Sequence, residues 1–257
     1  MKTLYKTLHI IMPMAGEGSR FKDAGYKTPK PLVKVFNKPL FVNAINSLAN
    51  LHKYKFINIE YTFIVRKEHI DKFHIDEVIL SYFRKAHIIS VEKTTGGAVE
   101  TCMLAKPYIK DNQSILVMDC DLWFKSKEFE NLIKDCLVNN IDKNLLLSFT
   151  SNFNRYSYAQ IDNNKKVIQT AEKNPISNHA LVGAYFFARS DEFINAANIL
   201  LKNCESKEYY TSLLYNILIK TTNTDTYLCK IDEYKSYGTP EELFSNVDKN
   251  NIKFDYD

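Results

Sequence analysis

Gly16 and Gly18 lie one residue apart just after an apolar run that begins at Leu8, and Arg20 follows two residues later. Glycine lets the backbone turn tightly and bring its N–H groups against phosphate oxygens. An arginine fork clamps phosphate through paired hydrogen bonds. Lys30 stands between Pro29 and Pro31, whose rings restrict the local chain and hold the ammonium in a defined place. The segment Met14, Ala15, Gly16, Glu17, Gly18 and Ser19 with Arg20 and Lys30 therefore offers N–H groups and two cations to one polyphosphate. It is not a Walker A loop, which needs Gly-Lys-Ser/Thr. It is not a dinucleotide fingerprint either, because Phe21 stands where the third glycine belongs. A second group, Asp119 and Asp121, follows the apolar run Ser114–Met118. Residues i and i+2 of a strand share a face, so both carboxylates can reach one hard cation. Mg²⁺ fits that donor set, with Mn²⁺ as a substitute, and keeps phosphates and waters in its shell. The plain structural readings are a glycine turn with surface cations, and one aspartate capping a turn while the other is solvated. The tandem of Arg20 with Pro29, Lys30 and Pro31 weighs against the first of these.

These groups need a scaffold, and the hydrophobic pattern supplies one. Leu8–Met12, Tyr61–Val65, His87–Val91 and Ser114–Met118 read as short buried parallel strands. Between them, Phe41, Ala44, Ile45, Leu48 and Ala49 fall on one helical face, as do Phe129, Leu132, Ile133, Cys136 and Leu137 farther on. The later chain is richer in strands: Leu145–Thr150, Tyr158–Ile161, Lys166–Thr170 and Leu181–Ala188, with a hairpin turn at Asn163 and Asn164. A helix capped by Ser190 and another carrying Tyr210, Leu213, Leu214, Ile217 and Leu218 follow, then a strand, Thr226–Ile231. Thr239, Pro240 and Glu242 spell a capping box for the last helix, and residues 248–257 are expected to fray. The expected fold is α/β: a single doubly wound, mixed, mostly parallel sheet with a β-rich second half. The expected organisation is one domain over 1–257, in which 1–140 bind nucleotide and 141–257 bind the acceptor.

Composition narrows the function classes. The chain has 257 residues, 45% hydrophobic and 25% charged, as an ordinary globular protein does. A net charge of +4 is too small and scattered to argue for nucleic acid, yet it suits a polyanionic small substrate. Five cysteines with no C-x-x-C pair argue for reduced thiols and against a zinc ribbon. The six histidines form no ligand spacing with one another. No apolar run reaches membrane-spanning length, and the expected location is cytoplasmic. Oligomerisation is left open.

The opening block resembles the signature of the sugar-phosphate nucleotidyltransferase superfamily, G-x-G-[ST]-R followed shortly by P-K-P-L, which has a GT-A-like fold. The resemblance extends along the chain. Gly97 and Ala98 look like the loop that touches the nucleobase. Asp121 looks like the metal-binding aspartate. Glu172 and Lys173 look like the Glu-Lys pair at the acceptor, and Gly183 opens another similar segment. One departure stands out. Many relatives carry a second metal carboxylate two residues before Gly238-Thr239-Pro240-Glu241, and Ser236 occupies that place here. The opening is most similar to nucleotidyltransferases of bacterial capsule clusters, among them the CTP:phosphoglutamine cytidylyltransferases of capsular phosphoramidate synthesis.

The resemblance implies an in-line transfer from an NTP to a phosphorylated acceptor, with CTP and L-glutamine phosphate favoured. It implies Arg20 at the β- and γ-phosphates, Lys30 at the α-phosphate, Lys173 at the acceptor phosphate, and Glu172, Ser177 and Gly183 around the acceptor. Alternatives remain. One is a hexose- or heptose-1-phosphate nucleotidyltransferase. Another is a GT-A glycosyltransferase using Asp119-Cys120-Asp121 as its D-x-D. A third is an inactive regulatory nucleotide binder, against which the intact Arg20, Lys30 and Asp121 argue.

Overall fold

A computed structural model describes residues 7–54, 57–203, 206–248 and 251–253. Strand β1 (Leu8–Met14) leads into a short helix α1 (Ser19–Asp23), a 3₁₀ turn at Lys30–Leu32, strands β2 (Lys34–Val35) and β3 (Lys38–Pro39), and helix α2 (Leu40–Asn46). Next come β4 (Ile59–Arg66), α3 (Lys67–Phe73), α4 (Ile75–Tyr82), β5 (His87–Val91), α5 (Ala98–Met103) and β6 (Ser114–Met118). Strand β7 (Leu122–Lys125) and helix α6 (Lys127–Val138) precede four strands: β8 (Asn144–Thr150), β9 (Ser157–Ile161), β10 (Val167–Glu172) and β11 (His179–Phe187). The chain closes with α7 (Ser190–Asn203), α8 (Leu214–Thr221), β12 (Thr226–Lys230), β13 (Glu233–Ser236), α9 (Pro240–Asn246) and β14 (Ile252–Lys253).

Nine strands form one sheet in the order β10-β9-β11-β6-β1-β4-β5, with β8 beside β11 and β12 beside β8. β11 runs antiparallel to β6, β8 and β9, and β10 runs antiparallel to β9. All other pairings are parallel, so seven of the nine strands share one direction. Alternation along β1 explains the two-layered core. Leu8, Ile10, Met12 and Met14 pack on one face with residues of α2, α4 and α6. Ile11 packs on the other with residues of α5, α7 and α8. This is the doubly wound α/β arrangement. His9 is a satisfied core histidine, meeting Thr62 Oγ1 at 2.8 Å and Gln113 Oε1 at 3.3 Å, and burial lowers its pKa.

Several local expectations shift. α2 stops at Asn46, and Ser47 and Leu48 close i→i−3 bonds instead. The Ser47 hydroxyl there accepts from Phe124 N–H at 3.0 Å and docks β7. Ser190 is the first residue of α7 rather than its cap, because its hydroxyl donates to the Lys110 carbonyl at 3.0 Å. The turn after β9 is anchored by Asp162, which accepts from the N–H groups of Asn164 and Lys166. Ile252 and Lys253 do not fray: they pair with β2, and the Ile252 side chain is buried in a small core with Phe21, Val35, Tyr237 and Leu243. That core ties the opening loop to α9. Cys102, Cys120, Cys136 and Cys229 are buried thiols outside any disulfide, whereas Cys204 lies outside the described residues.

Candidate active site

The site gathers at the C-terminal ends of β1 and β6, where α/β sheets bind ligands. Gly18 sits in the left-handed region (φ 63°) at the start of α1, a conformation that glycine adopts without strain. A β-carbon there would stand 3.7 Å from the Lys30 β-carbon, so the glycine turn and the Pro-flanked lysine are neighbours. Lys30 Nζ lies 2.8 Å from Asp121 Oδ2. Burial acts against the charge of this lysine, but Asp121 outweighs it and raises the ammonium above its ordinary pKa.

Asp119 and Asp121 do not lie on a strand, as the spacing suggests, but in the connection between β6 and β7. The ladder to β11 ends at Met118, though Asp119 N–H still donates to the Gly183 carbonyl at 2.9 Å. The alternation survives: both carboxylates line one cavity of about 300 Å³, while Cys120 between them is buried. Burial, then the Asp121 charge, raises the Asp119 pKa. Gly183 explains how the backbone fits. It has φ 91° at a register shift of β11 against β8, and a β-carbon there would collide with Asp119 Oδ2. Gly183→Ala should therefore destabilise the fold by about 1–3 kcal/mol and displace Asp119. In thermal melts this is roughly 2–4 °C for each kcal/mol, and an unchanged melting temperature would show that the strand rearranges freely.

Three cavities meet around this strand end. The first also carries Arg20, Glu172, Gly183 and Ala98 on its wall. A second, about 470 Å³, is bordered by Ala15, Gly16, Glu17, Gly97, Ala98 and Asp119. The third, about 520 Å³, is bordered by Met14, Gly16, Glu17, Gly18 and Lys30. Glu17 accepts from Thr94 Oγ1 at 3.4 Å, which links the glycine turn to the loop before α5. Tyr209 closes that loop from outside: its N–H donates to the Gly96 carbonyl and its carbonyl accepts from Val99 N–H. A β-carbon at Gly97 would strike the Tyr209 backbone. Ser19 is exposed on α1.

On the acceptor side, the Ser157 and Ser212 hydroxyls both donate to Glu172 Oε2. Oε1 has no partner among the described residues. Lys173 is off the cavity wall. Its ammonium donates to the Tyr210 hydroxyl at 2.6 Å, and that tyrosine does line the cavity. Ser177 is a correction: its hydroxyl donates to the Ala159 carbonyl (2.7 Å) and accepts from His179 N–H (3.0 Å), so it braces the turn before β11. Sequence reasoning missed Arg155, Tyr156 and Glu242, which line the same cavity. One signal was available for Arg155: among 34 basic residues only five are arginines, and forked recognition of oxyanions favours arginine over lysine.

Among the described residues, no cluster of three or more His, Cys, Asp or Glu side chains is arranged to hold a metal. Asp119 and Asp121 still fit a hard divalent ion, because Mg²⁺ is commonly held by one or two carboxylates and completed by phosphates and water. Burial of Asp119 beside the Asp121 charge, which raises the Asp119 pKa, is the electrostatic deficit that such a cation relieves. Among the described residues, no helix is long and apolar enough to cross a membrane.

The fold and this meeting of glycine turn, lysine and paired carboxylates define an α/β protein whose site is chemically suited to phosphorylated ligands. The chain matches the nucleotidyl transferase family over residues 8–250 and belongs to it. It resembles the structure of a nucleoside-diphosphate-sugar pyrophosphorylase from Vibrio cholerae RC9, with 29% identity and a TM-score of 0.77, over 92% of this chain and 98% of that one. The inositol-1-phosphate CTP transferase of T. maritima shares the fold, with 14% identity and a TM-score of 0.67 over 91% of each chain. In sequence, the chain is 26% identical to the bifunctional protein GlmU of Thermosipho melanesiensis, over 91% of this chain and 48% of that protein. It spans about half the length of the curated relatives it matches.

Proposed function

We propose that this nucleotidyltransferase joins CMP from CTP to a phosphorylated small metabolite, L-glutamine phosphate being favoured, and releases pyrophosphate, in the service of capsular polysaccharide modification. An oxygen of the acceptor phosphate attacks the α-phosphorus. The bond from that phosphorus to the β-phosphate oxygen breaks, and pyrophosphate leaves with the electron pair. A phosphate monoester is already anionic at neutral pH, so no general base is needed, and rate comes from positioning and charge neutralisation.

The residues take these roles. The N–H groups of the turn at Gly16 and Gly18 and the guanidinium of Arg20 hold the nucleotide phosphates. Lys30 neutralises charge at the α-phosphate, and Lys173 leaves Tyr210 to meet the acceptor phosphate. Gly97 and Ala98 border the nucleobase. Asp121 and Asp119 would hold Mg²⁺ or Mn²⁺, which supplies charge stabilisation at the phosphates. The half of the chain before residue 140 then serves the nucleotide, and the rest serves the acceptor.

The observation that carries the choice of acceptor is Glu172. Two hydroxyls fix one of its oxygens, and the residue lines the cavity. A fixed carboxylate pairs well with an α-ammonium. Ser236 supports the same reading, since it replaces a carboxylate that many hexose-1-phosphate enzymes resembling this chain carry. A second reading, a sugar-1-phosphate acceptor, is favoured by the likeness to the Vibrio cholerae pyrophosphorylase. A pyrophosphate-release screen crossing four NTPs with hexose-1-phosphates, heptose-1-phosphates and phosphorylated amino acids separates them. CTP with L-glutamine phosphate is expected to give the highest kcat/KM. Efficient turnover of a sugar-1-phosphate with none of the amino acid would replace this reading by the second.

A further inference from the structure

One ion pair on the acceptor cavity has no place in the mechanism above. Arg155 Nη2 lies 2.8 Å from Glu242 Oε1 and donates to the Tyr156 hydroxyl at 2.7 Å. The guanidinium also stacks over the Tyr156 ring, 4.8 Å from its centroid. Glu242 is far less exposed than its partner, 13% against 46%. It accepts from Tyr156 OH at 3.2 Å through Oε1 and from Ser236 Oγ at 2.8 Å through Oε2. Such a carboxylate, held by three donors from two segments, is a fixed post rather than a loose surface counter-ion.

Its local sequence prescribes something else. Thr239 Oγ1 accepts from Glu242 N–H at 3.2 Å, as the first half of a capping box, and the returning bond would run from Thr239 N–H to the Glu242 carboxylate. That carboxylate turns instead to Arg155, Tyr156 and Ser236, and forgoes the reciprocal bond. Gly238 leaves room for it: a β-carbon there would stand 3.0 Å from Glu242 Oε2 and 3.2 Å from Asp121 Oδ2. Arg155 is thereby anchored across a small space from the reacting end of the cavity.

A guanidinium has five N–H donors. Both of those on Nη2 are engaged, and the three on Nε and Nη1 meet no partner among the described residues. An arginine anchored by one nitrogen and open at the others is suited to an oxyanion. We propose that Arg155 is a specificity residue that binds a carboxylate on the acceptor, and that Glu242 is the positioning residue holding its guanidinium. This rests on the reading of the acceptor as a phosphorylated amino acid. The three charges of such a molecule then have separate partners: phosphate at Lys173, ammonium at Glu172, carboxylate at Arg155.

The test is steady-state kinetics of the full chain with CTP and either L-glutamine phosphate or its α-carboxamide analogue. The wild type should prefer the carboxylate by about 10- to 100-fold in kcat/KM, the size of a charge-assisted hydrogen-bond pair. Arg155→Ala should raise the acceptor KM by a similar factor, leave the KM for CTP within about twofold, and abolish the preference. Arg155→Lys should fall between, since an ammonium keeps the charge without the fork. Glu242→Gln should raise the acceptor KM less than Arg155→Ala does. If Arg155→Ala fails to fold, the carboxamide comparison in the wild type and Arg155→Lys decides alone. A wild type that ignores phosphorylated amino acids overturns the reading of the acceptor. A wild type that uses them, but treats carboxylate and carboxamide alike or keeps its acceptor KM in the Arg155 variants, overturns the Arg155 assignment alone.

Discussion

Replacing Lys30 by alanine is expected to lower kcat by about 10²–10³-fold, the loss found when one preorganised donor to developing transition-state charge is removed. The lysine is well placed for such a role. Pro29 and Pro31 fix its backbone, and Asp121 keeps its ammonium protonated well above neutral pH. Its side chain is still 25% exposed, so truncation leaves Asp121 able to recruit water, and the fold should survive. The expected result is therefore a large fall in turnover with a melting temperature within a few degrees of wild type. A modest change in the KM for CTP would accompany it, because the interaction is strongest in the transition state. If Lys30→Ala kept near-native activity, the lysine would be only the counter-ion of Asp121, and the assignment of charge neutralisation at the α-phosphate would fall.

The second large effect concerns the carboxylates. Chelation should abolish activity, and Mg²⁺ or Mn²⁺ should restore it. Asp121→Asn should cost on the order of 10³-fold in kcat/KM, as loss of several kcal/mol of charge stabilisation implies. Asp119→Asn should cost less. Asp121 is the carboxylate that both Lys30 and the small space beside Gly238 adjoin, whereas Asp119 sits deeper, against Gly183, where burial raises its pKa. Isothermal titration of Mg²⁺ with a non-hydrolysable CTP analogue reports the same order without turnover. A larger loss at Asp119 than at Asp121 would exchange their roles, and activity that survives chelation would remove the ion from the account.

What was legible in the sequence is what local chemistry determines. Gly16, Gly18, Arg20 and Lys30 announce a phosphate loop because glycine and proline act on the backbone within a few residues. The strands β1, β4 and β6 were readable because burial on both faces leaves continuous apolar runs, and the edge strand β5, only partly buried, keeps a shorter one. The misses share a cause: a tertiary partner outcompeted a local one. Glu242 completes a capping box by spacing, but Arg155, far away in sequence, draws its carboxylate into the cavity. Ser190 reads as a cap, yet the Lys110 carbonyl takes its hydroxyl. Ser177 reads as a pocket residue by order along the chain, yet the Ala159 carbonyl of β9 and the His179 N–H of its own turn occupy it. The polar end of the chain reads as fraying because the partner of Ile252, strand β2, is itself only two residues long. Tyr209 could not be foreseen over Gly96 and Gly97, since only the fold brings these segments together.

The central claim is transfer of CMP onto a phosphorylated amino acid, and ³¹P NMR of one reaction tests it most directly. With CTP, L-glutamine phosphate, Mg²⁺ and the full chain, the account predicts that pyrophosphate and a new pair of coupled diphosphate resonances grow together in equal amounts. The acceptor monophosphate signal should fall by the same amount, and both products should form about 10²–10³-fold more slowly when Lys30 is alanine. Pyrophosphate appearing with CMP instead of the diphosphate pair, or no change with this acceptor while a hexose-1-phosphate is converted, would contradict it.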